Sequence, residues 1–372
     1  MPPVVNTTRT QLGATTEAVV FTLGRVAVYV VMALSMIRLL RFEMVSADRM
    51  GLTRPSLDWS VLALALTGIA GILIHEAGHY FAGLSAGQFC RRVVIGPLEW
   101  ARREGKWRAR WIPLRRAGLV DMVPSTFHQF RLRRAICVAG GPAASMLTGM
   151  AFLVLSLQAS SLANSAPIYW IGAYSALWSL SGLLGLLPMR RGDARSDGYL
   201  LWQLLRGGTT VDELQRNLLV ASSHATPLRL RDWPRHLIDR LADVPEDGQP
   251  REYNAYLAYV HFLDRGEPHV ARRYLESLVA DWTRQDPPEY ALEAAWFRAT
   301  HDGDLDSARR WLAFEERSVE PWVRLRAEAA VERAAGNPDR AQKLTAEALT
   351  QLNAVPSCGA YEYEKDRLRE LR

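Results

Sequence analysis

Cysteine is scarce: Cys90, Cys137 and Cys358 are the only three in 372 residues, widely spaced and without a C-x-x-C pair. That excludes a disulfide framework and a cysteine zinc site. Charge is absent from long stretches. Between Arg134 and Arg190 no charged residue and no histidine occurs over 55 consecutive positions, 135 to 189. A membrane-spanning helix needs about 20 residues, so this run holds two, broken at Ser160-Ser161-Leu162-Ala163-Asn164-Ser165-Ala166-Pro167. The expected helices are 135 to 158 and 167 to 188. From Trp59 to Cys90 only His75, Glu76 and His79 carry an ionisable acidic or basic side chain. That stretch reads as another span to about Gly87, and a first span is expected at about 18 to 40, where Arg25 interrupts it. The expected fold is therefore mainly α: a polytopic bundle of about four spans with a small β-hairpin loop, then a soluble helical domain.

The three exceptions in the second span form His75-Glu76-Ala77-Gly78-His79. On a helix, residues four apart share a face, so both imidazoles reach one metal ion while Glu76 lies beside them. In zinc hydrolases with this spacing the glutamate takes a proton from water acidified by the ion. An acidic or basic group at mid-bilayer costs roughly 2.5 kcal/mol or more, so three in one apolar helix need a partner, and a metal supplies one. Two histidines leave the set one protein ligand short. Asp193 and Asp197, after Leu186-Leu187-Pro188, are the candidates. Asp197 is preferred because Gly198 permits a tight turn that aims the carboxylate back into the bundle. Two histidines and one carboxylate leave a position open for water, which is the catalytic arrangement.

Net charge is +6. Twelve Lys or Arg against Glu99, Glu104 and Asp121 fall between Arg91 and Arg134, so the positive-inside rule places this loop in the cytoplasm. Orientation and anionic headgroups of the lipid bilayer explain such clusters, and no nucleic-acid partner is expected. Everything after Met189 is then cytoplasmic, in a multi-pass integral membrane protein. Within the loop, 93–100 and 107–113 read as two strands around a Gly turn. The third span opens with Gly140-Gly141-Pro142-Ala143-Ala144-Ser145, small residues that let the motif helix pack closely.

Taken together, the H-E-x-x-H span, the loop ending Gly118-Leu119-Val120-Asp121-Met122, the Gly-Pro-x-x segment and the Leu-Leu-Pro segment leading to Asp-Gly resemble the site-2 protease family of intramembrane zinc metalloproteases. The resemblance covers roughly 59 to 205. It implies a three-helix core in which His75, His79 and Asp197 bind zinc (Zn2+), Glu76 is the general base, and the substrate is a membrane protein whose spanning helix unwinds locally. Many members carry Asn where this chain has Ser145 and Gly185, residues thought to hold the substrate strand, and they have fewer residues between the Pro and the Asp-Gly. A degenerate scaffold that binds partners without catalysis is the competing expectation.

Three domains are expected: 1–58 with the first span, 59–205 as the protease core, and 206–372 as a cytosolic helical domain with a break at 244 to 250. In that last domain Gly266, Gly303 and Gly336 precede Ala271, Ala308 and Ala341 by five residues each. The spacing resembles tetratricopeptide-like hairpins, which implies a cytosolic protein partner.

Overall fold

The computed structural model describes residues 55–372 except 104, 115–117, 159–165, 192–193, 244–250, 284 and 315–319, together with scattered positions between 37 and 53. The expected first span and the break at 244 to 250 lie outside the described residues. The chain forms two compact units: 1–83, 114–120 and 135–206 make the first, and 84–113, 121–134 and 207–372 the second.

The first unit is built on two long helices, α1 (Leu57–Ser85) and α2 (Phe130–Gln158). The Ser56 hydroxyl accepts a hydrogen bond from the Trp59 amide and caps the start of α1. Its end is marked by Gly87, in the left-handed conformation with φ 72°. Both helices are long and apolar enough to cross a membrane, and they are the only two such among the described residues. A core helix of a soluble protein would be mostly buried, whereas only 17% of the apolar window of α1 and 28% of that of α2 are. Leu62, Leu66, Ile69 and Phe81 face outward from α1. The helices cross at glycines: a side chain on Gly78 would strike the Gly140 carbonyl, and one on Gly140 would strike Ala82 and the Gly78 carbonyl.

The expected span at 167 to 188 is not one continuous helix. Helix α3 (Ala166–Ser181) has 16 residues, short of the length that crosses a bilayer, and then tightens into a 3-10 segment, Gly182–Leu186. Two glycines in that segment and Pro188 beyond it disfavour continued α-helix. Tyr169, Trp170 and Tyr174 of α3 form a core cluster with Ala47 and Ala63. Helix α4 (Asp197–Arg206) closes the unit.

In the loop between α1 and α2 the structure has four strands where two were expected. These are β1 (Gln88–Ile95), β2 (Leu98–Arg103), β3 (Lys106–Trp111) and β4 (Gly118–Pro124), in the order β3-β2-β1-β4. The stretch 93–100, expected as one strand, turns at Gly96 (φ 56°) and Pro97, so Ile95 pairs back with Leu98. The expected Gly turn is at Gly105, with Arg103 opposite Lys106.

The rest of the second unit is helical, from α5 (Thr209–Ser223) and α6 (Arg235–Asp243) to three pairs. These are α7 (Arg251–Asp264) with α8 (Pro268–Val279), α9 (Pro288–Phe297) with α10 (Leu305–Phe314), and α11 (Pro321–Ala334) with α12 (Pro338–Asn353), and α13 (Gly359–Arg369) closes the array. Gly266, Gly303 and Gly336 each turn the chain between the paired helices with φ of 74°, 68° and 80°. Ala271, Ala308 and Ala341 are each at most 1% exposed. At the centre lies an ionic cluster. The Glu293 carboxylate, 2% exposed, accepts from Arg326 at 2.6 Å, from Arg367 at 2.5 Å and from the Tyr259 hydroxyl at 2.8 Å. Glu364 pairs with both arginines.

Candidate metal centre

His75 and His79 stand one turn apart near the C-terminal end of α1, and Asp197 is the first residue of α4. The Asp197 Oδ2 atom lies 3.2 Å from His75 Nε2 and 3.4 Å from His79 Nε2, and the two Nε2 atoms are 3.2 Å apart. One ligand atom from each residue falls within 4.8 Å of the others. Of the two aspartates weighed from sequence, Asp197 is therefore the one brought to the histidines, while Asp193 lies outside the described residues.

The other ring nitrogens are engaged. His79 Nδ1 is 2.9 Å from the Cys137 carbonyl, to which it donates, and His75 Nδ1 is 3.0 Å from the hydroxyl of Ser145, itself 1% exposed. His79, whose Nδ1–H is spent on a carbonyl, presents Nε2 as an acceptor, and His75 does the same in the tautomer that donates Nδ1–H to Ser145, so that both Nε2 atoms then face a carboxylate oxygen. Converging lone pairs repel unless a cation or proton sits among them, so the donor set fits a divalent metal. Where a proton takes that place, burial pushes the Asp197 carboxyl up, but the hydrogen bonds then donated by His75 and His79 outweigh it and hold it at about 2. The carboxylate is thus ionised and ready to act as a ligand.

Glu76 is 9% exposed and interacts electrostatically with His79, His75 and Asp197. A side chain at Gly118 would collide with its carboxylate, so the glycine at the start of β4 makes room for it. Gly141 does the same for the His79 ring. Gly185, on the 3-10 segment, lies beside Asp197 and His75: a Cβ there would be 3.2 Å from Asp197 Oδ2.

Two features escaped the sequence reading. Gly198 does not make a turn with positive φ; it is in the first turn of α4, where the Leu186 carbonyl packs so close that a Cβ has no room. Ser196 was not singled out, yet its hydroxyl donates to the Leu187 carbonyl and accepts from the amides of Met189 (2.9 Å) and Tyr199 (3.2 Å). It caps α4 and ties the Leu-Leu-Pro segment to the helix that carries Asp197. A serine directly before Asp-Gly was the available signal.

Two histidines on an apolar helix, met by a carboxylate from α4, define a metallopeptidase class of site. The model of peptidase family M50, the site-2 protease family, matches residues 62–354, and the chain belongs to that family. Neither a curated protein nor a solved structure matches it significantly. Family membership implies an intramembrane metalloprotease, in keeping with the two candidate spans.

Proposed function

We propose that this protein hydrolyses a peptide bond of a membrane-spanning substrate near the cytoplasmic face, with zinc held by His75, His79 and Asp197. The observation that carries the reading is the convergence of two imidazoles from α1 and the Asp197 carboxylate from α4 beside the buried Glu76, in a stretch of α1 with no other charged residue from Trp59 onward. Zinc bound there supplies Lewis acidity toward water and the scissile carbonyl. Glu76 is the general base: it accepts the proton of the attacking water and passes it to the leaving amine. Ser145 and the Cys137 carbonyl hold the imidazoles in the tautomer that presents Nε2. Ser196 fixes the start of α4 and with it the Asp197 carboxylate. A helical substrate segment has its carbonyls hydrogen-bonded, so the scissile stretch must be extended before attack. The helical region 206–372, read as a tetratricopeptide-like cytosolic domain, recruits or gates the substrate by binding a protein partner.

One observation favours a second reading. Ser145 and Gly185 stand where many relatives carry Asn, which suits a non-catalytic scaffold that keeps the bundle and binds partners. The two readings part in a comparison of membrane proteomes from cells expressing wild type and Glu76→Gln. New N-termini inside hydrophobic spans, present with wild type and absent with Glu76→Gln, are expected. Identical termini in both, with equal expression, would favour the scaffold.

A further inference from the structure

Within the second unit, a cavity of about 210 Å³ opens among α5, α7, α9 and α13. Four carboxylates line it: Glu289, Glu293, Glu320 and Glu364. No lysine or arginine among the described lining residues accompanies them. Arg326 and Arg367 neutralise Glu293 and Glu364 from outside the cavity, which leaves the Glu289 carboxylate in excess. Glu289 makes no ion pair among the described residues, and burial, with Glu364 and Glu289 nearby, pushes the Glu320 carboxyl up to about 7. The remaining wall carries the rings of Trp233, Tyr256, Tyr361 and Tyr363 together with His224 and aliphatic side chains. Tyr363 is 4% exposed and its hydroxyl has no hydrogen-bond partner. A buried phenol left without a partner is costly, and the cavity it lines is the place from which a ligand can supply one. Acidic groups and aromatic faces together recognise an organic cation.

His224 and Tyr361, edge to face at 5.6 Å, also line a second cavity of about 770 Å³. Its walls have the opposite character. Arg91, Arg92, Arg102 and Arg110 outnumber Glu99 and Asp121. Arg102 lies over the rings of Phe89 (4.6 Å) and Trp107 (5.2 Å) and makes no ion pair among the described residues. The larger cavity exceeds what a small cation fills, and its charge repels one.

We propose that the two cavities together bind an extended peptide segment, seating an arginine side chain in the acidic aromatic cavity and acidic residues a few positions away in the arginine-lined one. Neither cavity alone explains the other: the small one selects the cation, and the large one selects the charge pattern around it. The site is a binding site and does not depend on hydrolysis at the metal centre.

The test uses the full chain in phosphatidylcholine nanodiscs and a fluorescein-labelled peptide, Gly-Gly-Arg-Gly-Ser-Glu-Asp-Gly. The control is the same peptide with the arginine replaced by citrulline, which keeps the shape and removes the charge. Anisotropy is expected to show at least tenfold tighter binding of the arginine peptide. Tyr363→Phe, which removes only the hydroxyl, should cut that preference about threefold or more, and Glu289→Gln about tenfold. Arg102→Gln should weaken both peptides alike, several-fold, with their ratio unchanged. Equal binding of the two peptides by wild type would overturn the proposal. So would an unchanged ratio in Tyr363→Phe and Glu289→Gln proteins whose circular dichroism matches wild type. An arginine preference that survives Arg102→Gln with no loss of affinity would overturn the role of the larger cavity.

Discussion

Each unit buries a cluster of ionisable side chains, and the two clusters are balanced in opposite ways. In the second, Glu293 and Glu364 face Arg326 and Arg367, so the charges cancel inside the protein. In the first, His75, His79, Asp197 and Glu76 are assembled with no lysine or arginine among them. A self-neutral cluster holds helices together, and removing one member leaves an unpaired buried charge. A cluster with surplus acceptors is incomplete by design and requires a cation from outside. Burial of charge alone therefore does not mark a functional centre; the sign of the imbalance does.

The comparison can be broken at several points. The largest expected effect is Glu76→Gln, which should lower intramembrane hydrolysis by a factor on the order of 10²–10⁴ without loss of metal, since the role proposed for Glu76 is that of a base and not a ligand. Cleavage would be followed by fragment appearance and metal by elemental analysis, and retained cleavage would remove Glu76 from the mechanism. Next is Arg326→Met in the neutral cluster. It leaves Glu293 and Glu364 to share Arg367 alone, an uncompensated negative charge that should cost about 3–5 kcal/mol, seen as a lower apparent melting temperature by tryptophan fluorescence, with no effect assigned to metal binding. A melting curve that matches wild type would mean the cluster is not self-neutralising.

Ser145→Ala tests whether the hydroxyl orients His75. Loss of a hydrogen-bond partner behind a ligand typically weakens metal binding by about 10–100-fold, so competition against a chelator should show a shift of that size. The smallest effect is expected at Glu320. Its folded value of about 7 lies above the ordinary 4.5, so the folded state holds this proton more tightly than the unfolded one. Its contribution is therefore present below pH 4.5 and lost as pH rises through 7. Glu320→Gln should flatten that loss and add about 1–2 kcal/mol of stability at pH 8, the group being partly exposed. Denaturation at pH 5 and pH 8 reads the difference, and equal slopes would show that Glu320 is not perturbed.

How much of this was legible before the structure depended on distance along the chain. His75, Glu76 and His79 lie within one turn and a half of helix, so their spacing exposes their shared purpose. Asp197 was reachable because an Asp-Gly pair follows a Leu-Leu-Pro segment at the end of an apolar run. Ser145 was legible only as a departure from a family pattern, because its contact with His75 joins residues 70 positions apart. The Glu293 cluster was invisible for the same reason: its arginines are 33 and 74 positions away, on two other helices. In the loop, alternation marked strands correctly, but the turn at Gly96-Pro97 was read as strand because apolar residues flank it on both sides. The fourth apolar segment looked long enough to span because hydropathy does not register the change from α to 3-10 geometry at Gly182.

The most direct test of the central claim is metal content by elemental analysis of purified wild type, Glu76→Gln and Asp197→Ala, each shown to be folded. About one zinc per chain is expected in wild type and in Glu76→Gln, with loss in Asp197→Ala. The donor set also suits iron, so every first-row metal should be read in the same run. Folded wild type that takes up no metal, even after incubation with zinc, would contradict the account.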